Sequence, residues 1–283
     1  PFTSSIALTL SLGPNGILLD FFGLGNFNFY GFWGTFISET LTFFPVAFMT
    51  LSTILARIDP NLEDAAYSLG ASSFKVFRTV TLPLAAPGIA NAFLLVFSCS
   101  LADFATPQVL GGHSFPVLPT QAYLVITGMY DFKGGAALSF MLLIPAIIVY
   151  SLQRWWVGKK SYVTVSGKAG GRSSVKGPGP LLSSVIVATV AVVIAFILYL
   201  YAIILTGSLV KVWGVNNEIT LENYSYVFTH GSKAIKDTLL IACIGTPLGG
   251  LLAVLVGYAT ARLKVRGSRI LETVSLLNYT LPG

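Results

Sequence analysis

Hydrophobic and polar positions alternate along this chain in long blocks rather than residue by residue. Apolar runs cover 1–12, 34–56, 88–110, 136–157, 181–209 and 238–261, and a further one starts near Ile270. A helix that crosses a bilayer needs roughly 20 predominantly apolar residues. The short alternating segments of a membrane barrel are absent. The pattern predicts an all-α fold, a polytopic transmembrane helical bundle. Between the runs, Gly13-Pro14-Asn15-Gly16 is a turn cluster. Residues 17–33, crowded with Phe, Tyr and Trp, are expected to form a loop at the headgroups. Pro45 is expected to kink its span, and Pro107 with Gly111-Gly112 to break the helix over 88–110. Residues 113–135 and the stretch ITLENYSYVF at 219–228 are expected to be exposed loops.

One polar stretch looks built to fold. In DPNLEDAAYSLGASSFKVFRTVTLP, residues 59–83, Asp59 can cap a helix and Pro60 suits its first position, where a missing N–H costs nothing. Leu62, Ala65, Ala66 and Leu69 recur at helical spacing as one small apolar face. Gly70 can end that helix in the left-handed region. Ser72 or Ser73 can cap a second helix that carries Phe74, Phe77 and Val80 inward and is closed by Pro83. Two short amphipathic helices with a bend between them are expected at the membrane surface.

The spacing Asp64-Ala65-Ala66, three residues, Gly70, nine residues, Val80-Thr81-Leu82-Pro83 resembles the EAA loop of binding-protein-dependent ABC importer permeases. Asp64 stands where the family has Glu, beside Glu63, and Val80 stands where it has Ile. The resemblance implies a type I importer fold with alternating access. It also implies that this loop docks into a groove on separate ABC ATPase subunits. Glu63 and Asp64 would then meet basic or hydrogen-bonding groups there. Ala65 and Ala66 would permit close approach, Gly70 would set the bend, and Leu82 and Pro83 would fix the return into the membrane. Further segments, SLADFATPQVLGG, VLPTQAYLVITGMYDFKGGAALS and WWVGKKSYVTVSGKAG, are similar to fused-half permeases of ferric-iron importers, which receive iron from a periplasmic substrate-binding protein. Related fused permeases serve phosphonates, thiamine or polyamines.

Composition agrees with a membrane protein: 54% hydrophobic and 10% charged, with a mean hydropathy of +0.78, against about 25% charged in soluble domains. Net charge is +6, but the basic residues lie between apolar runs, which points to membrane topology and not to nucleic acid. With the 59–83 loop placed in the cytoplasm, segments 57–83, 154–176 and 262–269 hold 13 Lys and Arg, and the opposite side holds four, Lys133, Lys211, Lys233 and Lys236. That asymmetry follows the positive-inside rule. Residues 158–180 carry five basic residues, no acid and six glycines, and are expected to be a cytoplasmic linker. Residues 1–157 then resemble the back of one permease half and 181–283 the front of another, and the chain is expected to be a fragment of a longer protein.

Candidate chemistry is sparse. Asp103 lies in an apolar run, where a carboxylate is costly unless it faces water or a partner. It can line a translocation path, be solvated near the outer surface, or cap the broken helix. Glu39, near the outer end of its span, is expected to be interfacial. His113 and His230 lack metal-ligand spacing, and Cys99 and Cys243, both inside apolar runs, are expected to be small core hydrophobes, with a disulfide as the alternative. No phosphate loop and no catalytic cluster is present. No cofactor is therefore expected in this chain, and ATP-Mg would bind the partner subunit. An ion-gradient-driven transporter would need more ionisable residues deep in its helices, and a membrane enzyme would need a catalytic cluster.

Overall fold

The computed structural model describes residues 2–14, 16–21, 23, 28–112, 115–158, 179–263, 267, 271 and 274–275, without the side chains of Asp20, Arg154, Val157, Gly158 and Ala261. The expected linker lies outside the described residues from 159 to 178, as do His113 and most of the basic loop after Leu263. The helices are α1 (Phe2–Leu12), α2 (Ile17–Phe21), α3 (Phe32–Leu55), α4 (Pro60–Ser68), α5 (Ser73–Val76), α6 (Leu82–Ala102), α7 (Ala105–Leu110), α8 (Leu118–Gly128), α9 (Phe132–Gly158), α10 (Pro180–Ser208), α11 (Glu222–His230) and α12 (Ser232–Tyr258). Among the described residues six helical segments are long and apolar enough to cross a membrane, which matches the blocks read from the sequence. The chain is a multi-pass, helical membrane protein.

The structure divides into two compact units. One comprises Tyr30–Tyr199 with the first residues of α1, the other Ile6–Phe29 with the chain from Leu200 onward. In the first unit α3, α6 and α9 pack side by side, and α8 lies against α9. Small residues make this possible: Ala85, Gly88 and Ala92 are buried along α6. A Cβ placed on Gly88 would collide with the side chain of Ile54 on α3, so the two helices approach as closely as a glycine allows. Membrane helices lack a hydrophobic drive toward each other, and close packing of small residues supplies the attraction instead. Serine contacts add to it: Ser4 Oγ lies 2.6 Å from Thr42 Oγ1, and Ser5 Oγ 3.1 Å from Ser38 Oγ.

Several expected loops are helical. Within 113–135, α8 forms because Pro119 sits in its first turn and Ala122, Val125 and Ile126 give it an apolar face. That face meets α9, where Gly135 lies against Ile126. Asp131 then starts α9 by accepting the N–H groups of Lys133 and Gly134 at 3.1 and 3.0 Å. The aromatic stretch 17–33 holds the short α2 and the first turn of α3. In the second unit, residues 219–228 close a small hairpin and then form α11. Strands β1 (Val210–Val212) and β2 (Asn216–Ile219) pair antiparallel. Asn223 fastens α11 to that hairpin by donating to the carbonyls of Ser208 and Val210, and Trp213 Nε1 donates to Leu10 O at 3.0 Å.

Candidate functional site

The surface hairpin at 59–83 is built from strictly local devices. Asp59 is extended, and its Oδ1 accepts the backbone N–H of Asn61 at 3.0 Å, with Pro60 in the first helical turn. At the other end of α4 the N–H of Gly70 bonds to Tyr67 O at 2.9 Å and that of Ala71 to Ala66 O at 3.1 Å. This is the paired pattern of a Schellman cap, which needs a left-handed residue between helix and exit. Gly70 supplies it with φ +82°, and open space surrounds the position of its absent Cβ. The expected stop at Gly70 and start at Asp59 are both present.

The second half of the hairpin departs from expectation. Ser72 precedes α5 without a side-chain bond to it. Phe74 and Phe77 point outward, 73% and 51% exposed, and the buried residue is Val76. Pro83 does not close the helix. Residues Phe77–Thr81 form a π-helical turn in which the N–H of Leu82 reaches back to Phe77 O, and α6 continues from there. The wider hydrogen-bond register falls just where Pro83 has no N–H to offer, so the chain passes proline without breaking. Leu82 and Pro83 thus sit in the first turn of α6, and the third span begins well before residue 88.

One bond ties the two arms together: Thr81 Oγ1 donates to Glu63 Oε1 at 2.5 Å. Glu63 is therefore engaged within the hairpin. Asp64 and Ala65 are exposed and Ala66 is half-buried. Leu62 and Leu69 are 45% and 88% exposed, so the small apolar face of α4 points outward. The capped helix therefore presents Leu62, Ala65 and Leu69 on its exposed side.

A second constellation lies at the far end of α6. That helix stops at Ala102 because Asp103 turns extended (φ −72°, ψ 116°). Asp103 Oδ1 accepts the N–H groups of Ala105 and Thr106 at 3.0 and 3.4 Å and so starts α7. The break falls at Asp103, not at Pro107, which is buried within α7. Asp103 is 6% exposed, and its Oδ2 is buried with no hydrogen-bond partner among the described residues. Ser100, one turn earlier, donates from Oγ to Glu39 Oε2 at 2.5 Å. Glu39, Ser100 and Asp103 line one cavity of about 380 Å³ together with Thr35. The rings of Phe32, Phe36 and Phe115 wall it on one side. Glu39 thus lines a cavity that the sequence did not reveal. In the sequence it gave no signal beyond its being an acid in an apolar run.

The remaining candidates do not converge. His230 stacks on Tyr226 in α11. Cys99 is half-buried and Cys243 exposed, so neither is the core residue expected, and they form no disulfide. No group of three or more His, Cys, Asp or Glu is arranged for a metal among the described residues.

Residues 3–161 match the family described as the binding-protein-dependent transport system inner membrane component. The chain belongs to that family. Along its whole length it is 37% identical to the ferric transport system permease protein FbpB of Actinobacillus pleuropneumoniae, covering 42% of that protein. It is equally similar to the putative ferric transport system permease protein FbpB 1 of Haemophilus influenzae, covering 46%. Over 55% of the chain it is 37% identical to the molybdenum transport system permease protein ModB of H. influenzae, covering 70% of that relative. This family member therefore spans less than half the length of the two ferric permeases it matches end to end.

Proposed function

We propose that this chain is part of the permease of an ATP-driven importer of ferric iron in a bacterial inner membrane. The observation that carries the proposal is similarity along the entire chain to two ferric transport permeases, through both units. Residues 1–157 form the later part of one permease half and 181–283 the opening of a second, joined by the basic stretch 158–180. The family match to residues 3–161 supports that division. The hairpin 59–83 and the basic segments 154–180 and 262–269 face the cytoplasm, as their charge favours.

In this account α4 is the coupling helix. Its exposed face of Leu62, Ala65 and Leu69 docks on an ABC ATPase subunit, with Asp64 at the rim. Glu63 works through Thr81, so that force applied to α4 passes into α6 instead of merely bending the loop. ATP-Mg acts on the partner subunit, and closure of the two ATPases moves the permease halves as rigid bodies to open a path toward the docked periplasmic binding protein.

The test uses the full-length protein with its ATPase and binding protein in proteoliposomes. Uptake of radiolabelled ferric iron is compared with and without ATP, with molybdate and spermidine as control cargo. Iron uptake that requires ATP supports the proposal. ATP-dependent uptake of a control alone keeps the mechanism and removes iron. Iron uptake driven by an ion gradient and indifferent to ATP removes the coupling role of the hairpin.

A further inference from the structure

The cavity beside Asp103 has a lining that the hairpin does not explain. Its polar side chains are Thr35, Glu39, Ser100 and Asp103, which present oxygen only. Among the described residues no Lys, Arg or His lines it beside the two carboxylates. Both carboxylates line this one cavity. Asp103 is more than nine-tenths buried, and one of its oxygens is spent on starting α7 while the other, Oδ2, has no partner among the described residues. A membrane-buried carboxylate left in that state is unfavourable, and it becomes favourable once a cation or its water shell occupies the space beside it.

We propose that this cavity is a transit site for a hard, multiply charged cation, held between the Asp103 and Glu39 carboxylates with part of its water shell. Oxygen-only lining selects hard cations over the softer ions that seek nitrogen or sulfur. The volume of about 380 Å³ far exceeds the ~10–15 Å³ of comparable space that a single water needs. The ion therefore need not be stripped bare. The phenyl wall lowers the local dielectric and strengthens the attraction. Two carboxylates are too few to chelate tightly, and no third acidic, His or Cys group completes a metal cluster among the described residues. A site on a path must bind well enough to admit an ion and weakly enough to release it. The proposal rests on the importer reading only for the identity of the natural cargo.

The test measures binding of terbium(III), a hard trivalent probe whose luminescence rises beside aromatic side chains, to the purified full-length protein. Wild type is compared with Asp103→Asn, Glu39→Gln and the double variant. Asparagine keeps an oxygen to accept from Ala105 and Thr106, and glutamine keeps one to accept from Ser100, so each change removes charge and leaves the local bonds. If Asp103→Asn fails to fold, Glu39→Gln carries the test alone. Each single change is expected to weaken terbium binding by about tenfold, with gallium(III) displacing the probe from wild type. Wild-type protein that does not bind terbium, or variants that bind it as wild type does, would overturn the site, since a purely structural Asp103 cap predicts no change. ATP-dependent iron uptake is measured on the same preparations. Carboxylate-dependent terbium binding without iron uptake would discard iron as cargo and keep the site. Normal iron uptake with unaltered terbium binding in every variant would do the reverse.

Discussion

In the hairpin, each device holds something within 18 positions, and the caps act within three: Asp59 on Asn61, Gly70 on Tyr67, and across the bend Thr81 on Glu63. The cavity is assembled across distance, with Glu39 on α3 meeting Ser100 on α6 from 61 positions away. The hairpin is exposed and offers an apolar face outward, whereas the cavity lies between α3 and the junction of α6 with α7 and is lined by two acids. Together they occupy opposite ends of α6, one continuous helix past Pro83 that stops at Asp103. In this account, a docking surface at one end and a polar passage at the other share a single rigid element.

The largest effect is expected from Gly70→Asp. A side chain at φ +82° costs about 1–2 kcal/mol in the backbone and adds a charge at the bend. Transporter is expected to reach the membrane but lose most ATP-driven uptake. Full uptake by that variant would remove the hairpin from the mechanism. Next is Gly88→Ala, where the new methyl meets Ile54 between α3 and α6. Overpacking of this kind costs about 1–3 kcal/mol and is read as a lower midpoint of thermal unfolding in detergent. An unchanged midpoint would mean that the two helices can part without loss.

Thr81→Val sharpens the contrast, because it cuts the tie between the arms and touches nothing in the cavity. Loss of about 1 kcal/mol would raise amide exchange over residues 60–68 about fivefold and leave terbium binding as in wild type. Protection equal to wild type would show that the Thr81–Glu63 bond does not hold the arms. Smallest is Asp59→Ala: Pro60 still fixes the first turn, so less than ~1 kcal/mol is expected. It would show as faster exchange confined to the first turn of α4. Exchange spreading through the whole hairpin would mean that the cap matters more than the Schellman turn.

The two regions also differ in how far they could be read from residues alone. Asp59, Pro60 and Gly70 act through backbone conformation, which depends on neighbours within a few positions, so both ends of α4 were legible. The membrane spans were legible because bilayer length imposes a block pattern. Pro83 was misread because the rule that proline ends a helix assumes an unbroken α register, and a π turn supplied another. Residues 113–135 were misread because α8 is amphipathic and short, and its apolar face has meaning only against α9. The cavity contacts of Glu39 were not legible at all. An acid near the end of a span looks interfacial until the fold brings Ser100 and Asp103 beside it. Asp103 was legible as costly, but its double use, one oxygen for α7 and one left over, depends on three-dimensional geometry.

The most direct measurement is site-specific crosslinking of Leu69→Cys in the full-length protein to cysteines placed on the proposed ATPase partner. Leu69, at 88% exposure, tolerates the change without disturbing α4. The account predicts an efficient crosslink at Leu69 and at Leu62→Cys, whose yield shifts when ATP is bound. Absence of any crosslink at either position, in a transporter that still imports cargo on ATP, would contradict it.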